Sequence, residues 1–425
     1  MTRVLVVNLY YPPHHLGGYE ASCYDVVERL ADRGHDLAVL TSTLRPDGAT
    51  DPPGERTGRV PVWRDLTAYL ERDGILWSPS WLQRWRIERA NQRALVRALD
   101  AHRPDVVSVW QLGALSLGLV TTIVERGIPI TYAVCDDWLS YARELDAWTR
   151  VWGRFPSAVR RAARVLTRVP TDVADIGATG PLLFVSDLTR ARARRYASTS
   201  MDCTAVVHSG VDSRVFHTDG RALRPWRGRL LYAGRYDPRK GIETAIRAMV
   251  HLPAETLDVH ASGNPDERAR LVRLVDELGL GDRVRFTTSD RTELAAAYRA
   301  ADLVVFPSEW EEPFGLVPLE AMACGTPVAA SGVGASIPFL VDGFNSVRFE
   351  PHDVEGLAAA VRRVRDDDEL RGRLVDNGFR TAAFFDADRL ADAFEEWHAA
   401  AAARYANGYP AERPFDLAAL EHLDG

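Results

Sequence analysis

The densest run of chemistry-bearing residues is Ser308-Glu-Trp-Glu-Glu-Pro-Phe-Gly-Leu-Val-Pro-Leu-Glu-Ala-Met-Ala-Cys-Gly-Thr-Pro-Val328. Pro318 fits the first turn of a helix, where no backbone donor is lost. With Gly315 near the N-cap, the amides of Leu316 and Val317 point out of the positive helix end, a seat for phosphate. Glu312 then falls in the loop just ahead, and Glu320 about a turn and a half inside. The two carboxylates bracket an anion site without crowding it. Glu320 stands among Leu319, Ala321 and Met322, which argues against a plain surface charge.

A second cluster is Leu231-Tyr-Ala-Gly-Arg-Tyr-Asp-Pro-Arg-Lys-Gly241. Arg235 is expected to end a strand and Lys240 to open the next helix, so both cations lie at the sheet's C-terminal edge. Arginine grips phosphate as a fork, lysine as a compact point charge. Two cations and a helix N-terminus suit a diphosphate. Taken alone, an exposed Arg/Lys pair in a polar turn explains the same residues. Lys240 is nevertheless the one lysine among 52 cations. Such a bias suggests codon drift toward arginine wherever either residue serves; the lone Lys240 is then either a candidate for a place where arginine does not serve or a survivor left by chance.

Alternating strands and helices must position these residues. Val4–Leu9 reads as a buried strand, followed by a turn-rich Pro12-to-Gly18 loop and an amphipathic helix over 20–33. Further strands are expected at Leu37–Leu40, Val106–Trp110, Ile128–Val134 and Leu182–Val185, with helices near 81–101 and 113–126. The Pro- and Gly-rich stretch 43–62 reads as a long loop. After a turn-rich break at Ser209–Trp226 the alternation restarts. Strands are expected at 230–233, 257–261, 284–287, 303–306 and 327–330, and helices at 240–251, 266–279, 292–301 and 315–324. A last helix covers about 388–405. The pattern means two parallel sheets with both faces covered, and a ligand at the crevice between their strand C-termini.

Composition removes several function classes. The chain has 425 residues, 46% hydrophobic and 26% charged, ordinary for globular domains and too apolar for disorder. Four cysteines lie far apart with no CxxC pair, which argues against a disulfide framework or zinc site and for a reducing compartment. Val4–Leu9 is too short for a signal-peptide core, and Leu112–Val124 falls short of the roughly 20 residues a membrane span needs. The expected address is the cytosol. The net charge of −7 divides unevenly, with 26 arginines against 23 acids in residues 1–210 and a remainder at −10. Neither half is broadly basic, so nucleic acid is not an expected partner.

Together the clusters resemble the family 4 retaining glycosyltransferases. The resemblance is carried by Glu312-x7-Glu320 after a Pro-Ser strand end, by Gly234-Arg235…Lys240-Gly241, and by Gly17-Gly18-Tyr19-Glu20 after the first strand. His208-Ser-Gly-Val-Asp-Ser-Arg-Val-Phe216 is similar to that family's interdomain segment, with Ser209 where asparagine is usual. The resemblance extends from residue 3 to about 380. It implies the α/β GT-B fold, two facing Rossmann-like doubly wound parallel-sheet domains with a crossing C-terminal helix. The N-terminal, acceptor-side domain would be 1–209 plus 386–425, and the nucleotide-sugar donor domain 210–385.

The resemblance also implies roles. Arg235 and Lys240 would hold the donor diphosphate with the amides around Gly315, Leu316 and Val317. Glu320 would bind the ribose hydroxyls, and Glu312 the hydroxyls of the transferred hexose. Gly17 and Gly18 would let backbone approach the donor phosphates or the acceptor. No metal is expected, because Arg, Lys and the helix dipole supply the charge stabilisation. The acceptor would be a hydroxyl of a glycan, a lipid-linked sugar or a small molecule.

Two positions depart from the family. Cys135-Asp136 stands where His-Asp is common, so Asp136 matches and Cys135 replaces a histidine beside the sugar. Phe339 occupies the glutamate place of a Gly-Gly-x-x-Glu pattern. Other readings are weaker. Gly332-Val-Gly334 lacks the third glycine of an NAD fingerprint, and a pyridoxal lysine is not expected because the one lysine, Lys240, is assigned to the phosphate site. His14 and His15, beside Gly17, could meet an acceptor or be plain loop residues. Arg-rich segments near 84–97 and 150–168, with Trp77, Trp81 and Trp85, read either as solvated faces or as a peripheral contact with the inner membrane face. The expected activity is retaining hexosyl transfer from a nucleotide-diphosphate sugar. The alternative is a nucleotide-sugar-binding protein whose catalysis is weak or lost.

Overall fold

The computed structural model describes residues 1–14, 17–45, 59–70, 77–218 and 224–417. Most of the expected 43–62 loop, and His15, lie outside the described residues. Short apolar runs buried on both faces form two parallel sheets, as continuous rather than alternating hydrophobicity requires. The first contains β1 (Arg3–Asn8), β2 (Asp36–Ser42), β3 (Val62–Leu66), β4 (Val106–Val109), β5 (Ile130–Val134), β6 (Leu182–Phe184) and β7 (Thr204–Val206). Its spatial order is β3-β2-β1-β4-β5-β6-β7, every pair parallel. The second contains β8 (Arg229–Tyr236), β9 (Thr256–Gly263), β10 (Val284–Thr287), β11 (Leu303–Phe306), β12 (Val328–Ala330) and β13 (Val347–Arg348). It runs β10-β9-β8-β11-β12-β13, again all parallel. The strand order reverses between β1 and β4 in one sheet and between β8 and β11 in the other. Doubly wound sheets place ligands outside the strand C-termini at that reversal.

The chain divides into two compact units. Unit 1 is Met1–His208 with Leu390–Arg413, and unit 2 is Ser209–Arg389 with the described residues from Pro414. The helix Ala387–Ala402 therefore starts in unit 2 and runs mostly in unit 1. Its Leu390, Phe394, Trp397 and Ala401 recur at helical spacing and bury with Val4, Val6 and Trp110. The Trp110 and Phe394 rings stack at 4.8 Å and 16°. In unit 2 the helices Val354–Asp366 and Asp368–Phe384 cover the sheet with Leu357, Val361, Leu370 and Leu374. Among the described residues no helix is long and apolar enough to cross a membrane.

Several elements differ from the sequence reading. The expected helix 113–126 begins only at Gly118, because Leu112, Leu115 and Leu117 are apolar as a buried loop, not as a helix face. The expected helix 240–251 is a short helix, Ile242–Ala248, between two 3-10 turns. Three strands escape the pattern. β3 buries only Leu66 at the sheet edge, and β7 and β13 have three and two residues.

Candidate functional site

In unit 2 the site begins at the end of β8. Asp237 caps the 3-10 turn Pro238–Lys240, its carboxylate accepting from the Arg239 amide at 3.0 Å. Gly241 follows with φ +68°, and a Cβ there would lie 1.9 Å from the Pro307 carbonyl oxygen. Only glycine lets this turn press on the end of β11. The Glu309 amide donates to the Arg239 carbonyl at 2.8 Å, joining the two loops beside the strand reversal. There Lys240 Nζ meets Glu312 Oε1 at 2.6 Å, and Ser308 Oγ donates to the same oxygen at 2.8 Å. The Trp310 ring lies against both cations, 4.5 Å from the Arg239 guanidinium carbon and 5.4 Å from Lys240 Nζ. Glu312 is buried, and its backbone is fixed from behind. The Ala335 amide donates to the Glu312 carbonyl at 2.9 Å, and a Cβ on Gly334 would sit 2.4 Å from the Glu312 nitrogen. The Gly332–Gly334 segment is thus a seat for the Glu312 loop.

Half-buried Arg235 forms no side-chain hydrogen bond or ion pair among the described residues, which leaves its fork available to a ligand. Gly315, at φ +105°, is the N-cap of the helix Leu316–Ala323 and gives it no side-chain cap. The first-turn amides of Leu316 and Val317 have no carbonyl a turn behind them. Inside that helix Glu320 Oε2 accepts from the Tyr298 hydroxyl at 3.0 Å. Tyr298 is fully buried, and its hydroxyl pKa is pushed well up by burial first and by the Glu320 charge second. Phe216 packs edge-on against its ring at 5.9 Å.

In unit 1 Gly17 is the N-cap of the helix Gly18–Asp32, and its amide donates to Glu20 Oε2 at 3.0 Å. The space a Cβ would take on Gly17 is open to 4 Å. The half-buried Tyr19 shares its hydroxyl proton between the carbonyls of Trp110 and, at 2.8 Å, Ala133, pinning the helix start to the ends of β4 and β5. Cys135 and Asp136 follow β5. Burial raises the Cys135 thiol well above its usual pKa, with Asp136 adding to the shift, so it stays protonated at neutral pH. Asp136 accepts from the Trp138 amide and the Tyr141 hydroxyl, each at 2.9 Å. Burial lifts its pKa to about 6 despite those bonds.

The expected residues therefore fall into two groups. Arg235, Lys240, Glu312, Gly315, Leu316, Val317 and Glu320 belong to unit 2, while Gly17, Gly18, Cys135 and Asp136 belong to unit 1. One placement needs correction. Lys240 does not open a helix but ends a 3-10 turn, because Asp237 and Pro238 nucleate that turn and Gly241 breaks it. Phe339 is also explained. It is buried against Phe314 at 5.4 Å and Phe385 at 5.2 Å, an aromatic cluster in which a carboxylate would be unsolvated. Sequence reading missed Trp310, Gly334 and Tyr298 as supporting residues. Gly334 had a visible signal in its glycine pair, whereas Tyr298 is 22 residues from Glu320 with no local mark.

Residues 16–215 match the family described as Glycosyltransferase Family 4, and residues 223–381 match Glycosyl transferases group 1. This chain belongs to the family 4 glycosyltransferases. It is 39% identical over 167 residues to the D-inositol 3-phosphate glycosyltransferase of Mycobacterium marinum, a match spanning 37% of this chain and only 36% of that relative. With the glycogen synthase of Mycobacterium tuberculosis it shares 28% over 382 residues, 86% of each chain. Sucrose-phosphate synthase from Thermosynechococcus elongatus superposes with a TM-score of 0.71 at 24% identity, covering 95% of this chain and all of that one. Anabaena Alr3699/HepE, solved with UDP and glucose, gives 0.64 at 19% identity, covering 93% and 99%. The last two likenesses establish the GT-B fold.

Proposed function

We propose that this glycosyltransferase moves a hexosyl group from a nucleoside-diphosphate sugar to a hydroxyl acceptor, with retention and without a metal. The observation that carries the reading is the convergence of Arg235, Lys240 and the Gly315–Val317 amides beside the β8/β11 reversal, with Glu312 held against Lys240. Arg235 and Lys240 bind the diphosphate, and Glu320 takes the ribose hydroxyls. Glu312 exchanges part of its contact with Lys240 for a sugar hydroxyl. Residues 210–385 serve the donor, and residues 1–209 with 386–425 serve the acceptor. The names of the relatives support a sugar donor, and the UDP and glucose in the Anabaena protein support a nucleoside diphosphate.

The reaction is a front-face displacement. The bond between the anomeric carbon and the diphosphate oxygen breaks, and the acceptor oxygen forms the new bond on the same face. The acceptor proton passes to the leaving diphosphate, whose growing charge Arg235, Lys240 and the helix N-terminus stabilise. Asp136 and the open space over Gly17 belong to the acceptor side. The chain works in the cytosol, on a glycan, a lipid-linked sugar or a small metabolite.

A thermal-shift screen against UDP-, GDP-, ADP- and dTDP-sugars identifies the donor, and turnover is then measured with and without EDTA. Release of nucleoside diphosphate that persists in EDTA supports the proposal; activity that requires Mg²⁺ or Mn²⁺ contradicts its metal-free part. The neutral Cys135 thiol, where the family commonly has histidine, favours one second reading, a protein that binds the donor without turning it over. Donor binding with no turnover under any acceptor condition would establish that alternative.

A further inference from the structure

Burial normally puts the apolar stripe of a helix inward and its charges outward. The helix Ser157–Thr167 of unit 1 breaks this rule. Val159 and Leu166, with Ala158, Ala162 and Val165, recur at helical spacing yet face solvent, Val165 at 77% and Leu166 at 84% exposure, and exposed Phe155 lies just ahead of the helix. The inward side rests on Ala163 and Thr167 alone. A neighbouring helix, Trp81–His102, adds exposed Trp81 and Leu82, and the two are tied where Trp85 Nε1 donates to the Thr167 carbonyl at 3.0 Å. Six of the thirteen exposed large hydrophobic residues described in the chain lie on these two segments. Scattered exposed apolar residues need no explanation, but a concentration of this kind does.

The charge around the patch says what covers it. Residues 147–171 contain six arginines and no acid, and residues 74–87 contain no acid either, in a chain whose net charge is −7. Arg160 pairs with Asp172 and Arg164 with Glu125. Arg161 on the helix, Arg154 just ahead of it and Arg168 at its C-cap are exposed and make no side-chain hydrogen bond or ion pair among the described residues. An exposed apolar stripe accompanied by these arginines suits a fluid surface that is apolar beneath and anionic on top.

We infer that the helix Ser157–Thr167 and the start of Trp81–His102 form a docking face for an anionic lipid bilayer, with Val165, Leu166 and Trp81 entering the headgroup layer. The inference stands apart from the donor chemistry, since none of these residues belongs to the proposed site.

The full chain is mixed with vesicles of phosphatidylglycerol and phosphatidylcholine, or of phosphatidylcholine alone, and sedimented at low and high salt. Binding is expected only to the anionic vesicles and is reversed by salt. Val165→Asp with Leu166→Asp, and separately the Arg154, Arg161, Arg168→Gln triple variant, should each weaken binding, the latter by about 100-fold at roughly fivefold per charge lost. Circular dichroism and thermal melting of both variants should match the wild type, because every changed side chain is exposed. No binding at low salt would overturn the inference, as would equal binding to neutral vesicles or an unaffected arginine variant. Self-association that Val165→Asp with Leu166→Asp abolishes, without vesicle binding, would show that a second copy covers the face instead.

Discussion

Lys240 holds its ammonium between the Glu312 carboxylate and the Trp310 ring, a space shaped for a compact charge. Arginine keeps the charge but is planar and forked, so Lys240→Arg should lose about tenfold or more in kcat/KM for the donor. That is the range expected when one charge-assisted bond, about 1.5–3 kcal/mol, is lost. Lys240→Ala should lose more, and wild-type kinetics for the arginine variant would mean that geometry at residue 240 is unimportant. Glu320 offers a subtler test. Tyr298→Phe removes its 3.0 Å hydrogen bond while the ring stays packed on Phe216. Nucleoside-diphosphate affinity should fall about five- to tenfold by calorimetry, the scale of roughly 1 kcal/mol. Glu312→Gln, by contrast, should nearly abolish transfer and leave nucleotide binding in place. Equal affinity in wild type, Tyr298→Phe and Glu320→Ala would remove the ribose role from Glu320.

At the scale of elements, the Glu312 loop depends on a segment that touches no ligand in the proposed chemistry. Gly334 has φ +66° and presses on the Glu312 backbone, so Gly334→Ala combines an unfavourable dihedral with a direct clash. Transfer should drop more than about tenfold, with a loss of stability on the order of 1–3 kcal/mol visible in thermal melting. Retained activity would show that the loop adapts. The same segment shows what the sequence makes legible. Apolar runs such as Val4–Leu9 and Leu303–Phe306 announce their strands because burial on both faces forces continuous hydrophobicity, and the Pro318 and Gly315 signals place the helix Leu316–Ala323 within a residue. What stays hidden is set by tertiary contact. Leu112–Leu117 is apolar without being helical, and the pairings of Tyr298 with Glu320 and Lys240 with Glu312 join residues 22 and 72 apart. No local periodicity encodes such distances.

Across the whole molecule, stability should depend on pH through buried carboxyls. Glu88 is fully buried and bonded by the Tyr69 hydroxyl, and burial, with the Asp146 charge adding to it, raises its pKa from 4.5 to about 8. The folded chain then holds a proton that the unfolded chain releases, so this stabilisation is complete below about pH 4.5 and is lost as pH rises to about 8. Asp136 acts in the same direction up to about pH 6. Thermal midpoints should therefore decline across this window, and Glu88→Gln should flatten the decline; an unchanged slope would mean that Glu88 titrates normally. Removal of the chain beyond residue 389, which spares all of unit 2 except the segment from Pro414, tests the returning helix. Leu390, Phe394 and Trp397 each contribute about 1.5–3 kcal/mol of burial, together comparable to the stability of a whole domain. The shortened chain should lose the cooperative melting of unit 1 while unit 2 keeps its own transition.

That returning helix also sets an order of events during synthesis. All strands of unit 2 are written into the chain between the two parts of unit 1, so the ribosome delivers residues 209–389 before Leu390–Arg413 exists. The first sheet must wait with the face of Trp110 uncovered, while the second sheet, whose strands and helices are contiguous in the chain, is free to close. Trp110 thus becomes a clock for the nascent protein. Its indole gains the Phe394 ring only when that residue emerges, and the core of the first unit is completed only after the strands of the second have been made.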